Sequence, residues 1–226
     1  MAAPRLIRVA ARTALWGGVA LVVTFFALVA LYAVVDPIST LMLARIVEGR
    51  PYQRIPVRLA EVAPAAIATV IASEDASFCA NGGVEWGALR DVLGSAGGRL
   101  PSRGASTLTM QTAKNLFLWP GRSVVRKGLE IPMALVLGGL WPKRRVMEVY
   151  LNMAEWGDGT FGIEAAAQRY FHKSARALDA REGALLATAL PNPYKRDPAH
   201  PKPLQRRRAA EVLMRAAADP GALKCL

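Results

Sequence analysis

The sequence predicts an all-α domain carried on one N-terminal transmembrane helix. Three observations lead there. Residues 13–35 contain no charged side chain. Behind them, apolar residues recur at helical spacing in one segment after another, several opened by a Ser or Asp cap. Strand-type alternation is almost absent, and no internal repeat is visible.

The totals set the limits. With 226 residues there is room for one medium domain and a small extra element. A net charge of +12 and a pI near 10.4 call for an anionic partner, whether nucleic acid, anionic lipid or a phosphorylated substrate. The only cysteines are Cys79 and Cys225, and the two histidines, His172 and His200, lie far apart. No Cys-x-x-Cys or Cys/His cluster exists, which excludes an ordinary zinc site, and no metal-ligating residue is assigned. One disulfide is open to the chain if the domain lies outside the cytoplasm.

The elements follow in order. Residues 1–12 carry Arg5, Arg8 and Arg12 and no acid. Residues 13–35, at about 1.5 Å per residue, cross the roughly 30 Å hydrocarbon core. Trp16 and Tyr32 sit near the two ends, as interfacial aromatics do. The three arginines set the N-terminus in the cytoplasm, so the remainder lies on the far side. The span is too long for a cleaved signal and is read as an uncleaved anchor.

Residues 36–60 form a connector with a short helix over 39–48, closed by Gly49. The domain covers 61–200 and a basic C-terminal helix occupies 201–226. Within the domain, 61–80 reads as an alanine-rich helix leading into Glu74 and Asp75. A short helical piece follows over 86–93, and the glycine-rich stretch 94–104 reads as a mobile loop. Helical patterns continue over 106–118, 124–140, 142–154, 161–171 and 179–190, the last opened by an Asp179/Glu182 capping box. The final helix covers 203–217.

Several groupings carry chemistry. Glu74 and Asp75 end an apolar helix beside a Gly82-Gly83 turn, where a carboxyl sits at a cleft lip with a raised pKa. Ser106 caps the next helix, and Thr107, Gln111 and Lys114 fall on one face of it. Arg122, Arg126 and Lys127 cluster in front of Glu130 and suit phosphate. Arg126 and Glu130 also satisfy a plain i,i+4 ion pair. Glu148 pairs with Arg144 four residues earlier and reads as structural support.

Together these blocks resemble the peptidoglycan glycosyltransferases. The similarity runs from about residue 38 to 198 and rests on five ordered motifs. They are Glu74-Asp75-x-x-Phe78; Gly104-x-Ser106-Thr107-x-Thr109-x-Gln111 continuing to Lys114-Asn115; Arg126-Lys127-x-x-Glu130; Lys143 through Glu148 to Tyr150-Leu151-Asn152; and Gly159-x-x-Gly162 leading to Tyr170-Phe171.

The resemblance implies a lysozyme-like helical fold. It also implies polymerisation of lipid II into β-1,4 glycan with inversion and release of undecaprenyl diphosphate. By motif, Glu74 is the base on the acceptor 4-hydroxyl and Glu130 the second catalytic carboxylate. Asp75, Phe78, Ser106, Thr107, Gln111, Lys114, Asn115, Arg122, Arg126 and Lys127 are substrate-binding, the cations facing the diphosphate. A divalent metal, Mg2+ or Mn2+, accompanies the diphosphate in this family.

Expected partners are lipid II, the growing glycan chain, the membrane, and cell-wall synthesis or division proteins; nucleic acid is not expected. The implied location is the bacterial inner membrane with the catalytic domain in the periplasm. Departures from the family pattern are Asn81, where a histidine is usual, Ala105 and Met110.

The chemistry agrees with the resemblance. A glycosidase needs an acid to protonate its alkoxide leaving group, whereas a diphosphate leaves when positive charge receives it. The alternatives are a lysozyme-like glycan hydrolase, which would lack the Lys114 and Arg122 cations, and an inactive lipid II-binding scaffold. No Ser-x-x-Lys or Lys-Thr-Gly follows residue 36, so no transpeptidase activity is expected. A hypothesis, motivated by Leu116-Phe117-Leu118-Trp119 lying beside a lipid-substrate site, is that the apolar surface near Phe117 to Trp119 dips into the bilayer.

Overall fold

The computed structural model describes residues 3–95, 106–121 and 123–226. The expected loop over 94–104 lies almost wholly outside the described residues, as do Ala105 and Arg122. The chain divides into two units, Met1–Asp36 and Pro37–Leu226. The first is helix α1 (Ala3–Tyr32), whose stretch Ile7–Tyr32 is long and apolar enough to cross a membrane. The helix ends at Tyr32 rather than at residue 35, before Asp36-Pro37, where a proline disfavours helical geometry in the residue ahead of it.

The second unit is helical, as the sequence predicts. Helix α2 (Thr40–Val47) is capped by the buried Ser39, whose hydroxyl accepts from the Met42 amide at 3.2 Å. Helix α3 (Pro64–Glu74) starts on a proline, where the missing N–H leaves no bond unmade. It buries Ala66, Ile67, Thr69, Val70, Ile71 and Ala72, more than one stripe, so it is a core helix rather than a surface one. It is shorter than the expected 61–80, because the backbone leaves helical geometry at Asp75.

Helices α4 (Trp86–Ser95), α5 (Leu108–Phe117), α6 (Val124–Leu140), α7 (Lys143–Met153), α8 (Ile163–Phe171), α9 (Ala180–Ala189) and α10 (Pro203–Ala218) follow. The α9 capping box forms as expected, Asp179 accepting from Glu182 N–H and Glu182 from Asp179 N–H.

Two groups of helices make the core. In the first, α3, α9 and α10 pack together through Ala72, Ala184, Leu185, Ala209 and Val212. The approach of α3 to α9 is close enough that a Cβ at Gly183 would lie 2.7 Å from Ala66 Cα. In the second, α5 packs between α6 and α7 and also meets α2.

Strand signals are weak in the sequence, yet three very short strands pair: β1 (Gln53–Arg54), β2 (Glu155–Gly157) and β3 (Thr160–Phe161). Their order is β1-β3-β2, parallel between β1 and β3 and antiparallel between β2 and β3. The sheet is fixed by an ionic cluster around the buried Arg45 and Glu155. Arg45 of α2 donates to Glu155 at 2.9 Å and also pairs with Asp158, while Tyr194 donates to Glu155 at 2.8 Å.

Helix α7 secures the connector ahead of α3. Asn152 exchanges two hydrogen bonds with the Val57 backbone, at 2.9 and 2.7 Å. Glu148 accepts from Leu59 N–H at 2.8 Å and pairs with Arg145 at 2.6 Å. Its partner is therefore Arg145, not Arg144, because Arg144 is turned to solvent. Cys79 and Cys225 form a disulfide with Cα atoms 5.4 Å apart. It closes a separation of 146 residues, for which the chain-entropy model gives about 5 kcal/mol of stabilisation.

The Gly183 approach yields a direct expectation. Gly183→Ala should destabilise the domain by about 1–3 kcal/mol through overpacking. Gly139→Ala, whose added methyl meets no atom within 4 Å, should be neutral or slightly stabilising. Thermal unfolding of the two variants beside the parent tests this, and equal midpoints for all three would refute the close packing of α3 on α9.

Candidate active site

The site starts from the end of α3. Its helical register fixes Glu74 one residue ahead of the break, on an element whose other side chains are held by the core. Glu74 is half-buried, and its carboxylate accepts from Gln111 Nε2 at 3.1 Å and from Ser73 Oγ at 3.1 Å. Gln111, from α5, is itself oriented by the buried Tyr150, whose hydroxyl donates to Gln111 Oε1 at 3.1 Å. The chain Tyr150–Gln111–Glu74 thus links α7, α5 and α3. Burial pushes the Glu74 pKa upward; the two hydrogen bonds and the charges of Lys114 and Arg196 pull against it without reversing it.

Asp75 has a different job. It is buried and its oxygens accept from Leu108 N–H at 3.0 Å, from Asn81 Nδ2 at 3.0 and 3.2 Å, and from Ser77 Oγ at 3.2 Å. Leu108 is the first residue of α5, so the carboxylate sits at a helix N-terminus, where negative charge is favoured. Asp75 therefore ties the end of α3 to the start of α5.

Asn81 extends the tie. Its carbonyl accepts from Gly83 N–H at 3.0 Å and from Lys143 Nζ at 3.2 Å. The same ammonium lies 4.5 Å from the centroid of the Phe78 ring, in cation–π range. Phe78 is fully buried and supports the turn from beneath. Gly83 presses on α6, where a Cβ would stand 2.5 Å from the Ala134 carbonyl oxygen.

The basic side is built by α5 and α6. Thr107, not Ser106, caps α5, accepting from Met110 N–H at 3.0 Å and donating to the Gly83 carbonyl at 2.6 Å. Ser106 instead accepts from Lys127 Nζ at 2.6 Å. Lys127 also pairs with Glu130 at 2.9 Å, and Arg126 holds the other Glu130 oxygen. Glu130 is thus buried but bound between two cations, unlike Glu74. Burial lowers the Lys114 pKa, opposed by the charge of Glu130 and, less, of Glu74, while Arg126 and Lys127 reinforce the fall. Lys114 therefore lies within electrostatic reach of both carboxylates.

Beside these cations opens a pocket of about 340 Å³. Lys114 and Arg126 supply its charge, and Leu41, Leu118, Trp119 and Pro120 its apolar wall. Among the described residues Arg126 Nε is buried without a hydrogen-bond partner. Asn115 lines the same pocket, its backbone carbonyl engaged by Thr40 Oγ1 at 3.2 Å. Of the four apolar residues 116–119, Leu116 and Leu118 are buried, Phe117 is half-buried, and Trp119 alone is exposed.

Of the sequence-predicted residues, Lys114, Asn115 and Arg126 line this pocket, Glu74 meets Gln111, Glu130 meets Arg126 and Lys127, Lys127 meets Ser106, and Asp75, Phe78 and Thr107 hold the turn and the start of α5, with Arg122 outside the described residues. Sequence reasoning assigned no site role to Tyr150, Lys143 or Asn81. The first two stood in a helix that reads as basic and structural, and Asn81 looked only like a departure from pattern. Their signal was the lone tyrosine and lysine on a face that also carries apolar residues.

A transglycosylase family model matches residues 40–217. Biosynthetic peptidoglycan transglycosylases are similar along nearly their whole length. The one from Rhizobium meliloti (strain 1021) is 47% identical over 203 residues, covering 89% of this chain and 86% of the relative. That from Agrobacterium fabrum (strain C58 / ATCC 33970) is 46% identical over 209 residues, 92% of each. That from Rhodospirillum centenum (strain ATCC 51521 / SW) is 49% identical over 217 residues, 95% of this chain and 92% of the relative.

Because Gln111 stabilises the ionised form of Glu74, Gln111→Leu should raise the Glu74 pKa further above the ordinary glutamate range. Carbon-13 NMR titration of the labelled side-chain carboxyl reads this directly. An unchanged or lowered midpoint would show that the hydrogen bond does not act on the charged state.

Proposed function

The chain belongs to the transglycosylase family and is a peptidoglycan glycosyltransferase, and from that premise we propose that it polymerises lipid II into β-1,4 glycan strands with inversion. One observation carries the reading: the two acids occupy opposite environments. Glu74 is hydrogen-bonded only to neutral partners and has a raised pKa, while Glu130 is clasped by Arg126 and Lys127 beside a basic pocket with an apolar wall.

A carboxylate of raised pKa is a stronger base near neutral pH. In the proposed step Glu74 takes the proton of the acceptor 4-hydroxyl as that oxygen attacks the donor anomeric carbon. The new C–O bond forms on the face opposite the diphosphate. The old bond breaks and its electron pair leaves with undecaprenyl diphosphate. Lys114, Arg126 and Lys127 receive the charge, and Arg122 joins them by motif. Positive charge fixed in advance lowers the barrier because it need not reorganise as charge develops. Glu130 keeps Arg126 and Lys127 aimed, and the apolar wall suits the first isoprene units of the tail. The same cations tell against hydrolysis, whose alkoxide leaving group needs a proton rather than a cation.

Among the described residues no three His, Cys, Asp or Glu side chains converge, and both Glu130 oxygens are bound by cations. These residues do not form a resident metal site. A Mg2+ or Mn2+ ion would travel on the substrate diphosphate, and no step above passes through it. For location, Arg5, Arg8 and Arg12 ahead of the apolar helix support a cytoplasmic N-terminus and a periplasmic domain on the inner membrane. The disulfide supports the same, since such bonds persist in oxidising compartments. Cell-wall synthesis or division proteins are the partners this location supports.

The test is polymerisation of labelled lipid II by the detergent-solubilised chain. Glu74→Gln should reduce the rate by about 10²–10⁴-fold, the usual contribution of a positioned base. The parent's rate should fall on the acid side through a pKa above the glutamate reference of about 4.3, where Glu74 becomes protonated. It should fall on the alkaline side below the lysine reference of about 10.4, where Lys114 loses its charge. No glycan from the parent with either metal would favour the scaffold, and shortening of pre-made glycan the hydrolase.

A further inference from the structure

The segment from Ala72 to Cys79 carries Glu74 and Asp75, and it is gripped at both ends by one structural unit. At its start, Ala72 packs against Ala209 and Val212 of α10. At its end, Cys79 is bonded to Cys225, seven residues beyond α10 (Pro203–Ala218). The turn is also held by Leu108 N–H on Asp75, by Lys143 on Asn81 and by the buried Phe78, and the disulfide acts alongside these contacts. Ala76 and Ala80 are exposed, Ser77 and Asn81 are half-buried, and Phe78 alone is fully buried. Ser77 and Asn81, two residues before and after Cys79, both donate to Asp75. Asp75 in turn fixes the first amide of α5, which carries Gln111 to Glu74.

We propose that the Cys79–Cys225 disulfide is a redox-sensitive clamp that positions Glu74 and Asp75 for glycan polymerisation. The inference rests on the polymerase reading above. It adds a positioning role for two residues that touch no substrate.

Both cysteines are half-buried, so a dithiol reductant reaches the bond. One thiolate attacks a disulfide sulfur and breaks the S–S bond, forming a mixed disulfide. The second thiolate displaces the protein sulfur. Two electrons and two protons pass to Cys79 and Cys225, and the reductant leaves as its own disulfide. Freed of Cys225, the turn loosens, Asp75 loses its fixed partners, and α3 and α5 no longer hold Glu74 and Gln111 in register. Misplacement of this kind lowers turnover more than substrate affinity.

The experiment uses the full chain in detergent, oxidised, reduced with a dithiol, and reoxidised, with free thiols counted in each state. Steady-state polymerisation of lipid II should show kcat reduced by about tenfold on reduction and KM changed by less than about twofold, with recovery on reoxidation. The double variant Cys79→Ser with Cys225→Ser should match the reduced enzyme and ignore the reductant. Hydrogen exchange over residues 75–83 should quicken on reduction while that of α9 stays unchanged.

Unaltered kcat with two verified free thiols overturns the clamp, as does unaltered exchange in the turn. A uniform rise in exchange across the domain also overturns it, because the bond would then serve only global stability. If oxidised chain makes no glycan, the polymerase reading fails by itself, and the exchange measurement still decides whether the turn is clamped.

Discussion

Glu74 occupies the last turn of a helix whose preceding side chains are mostly buried, so it cannot shift without moving the core. That constraint organises the rest. A carboxyl held at the edge of an apolar interior is poorly solvated, and its pKa rises unless charge is brought to it. The fold brings neutral donors, Gln111 and Ser73, while the charges of Lys114 and Arg196 pull against the rise without reversing it. The Tyr150 hydroxyl fixes which way Gln111 points, so a residue on α7 sets the hydrogen bonding of an acid on α3.

The neighbouring carboxylate shows how strongly surroundings divide two adjacent acids. Burial raises the pKa of Asp75 as it does that of Glu74, opposed by donors that include the first amide of α5 and Asn81. The Asp75 charge is spent on joining helices. Glu130 takes a third course, its two oxygens each held by a cation. Breaking such a buried pair costs several kcal/mol because a lone charge is left behind. The Glu130 contacts hold Arg126 and Lys127 in place.

Rigidity around this site comes from unlike sources. The α3–α9–α10 group relies on small residues, with Gly183 and Ala66 letting the backbones meet. The α2 end relies on the buried Arg45–Glu155 pair, the exposed Asp158 beside it and the short sheet. Asn152, with its paired bonds to Val57, and Glu148, with its bond to Leu59, tether the connector. The motif around them is thus largely a support for the approach to α3.

Composition and local pattern alone determined the membrane helix, the helical class, most helix limits and the cluster of acids and cations. Each of those depends on near neighbours: an uncharged run, a capping box, an i,i+4 spacing. Even the choice of cap resisted, since Ser106 and Thr107 are equally good by type and only the position of Lys127 separates them. Tertiary structure alone decided the Cys79–Cys225 bond, the Arg45–Glu155 pair, the three-stranded sheet and the Tyr150–Gln111–Glu74 chain. Their partners stand 37 to 146 residues apart for the paired side chains. Over such separations no periodicity connects one residue to the other, because contact is set by how whole helices pack.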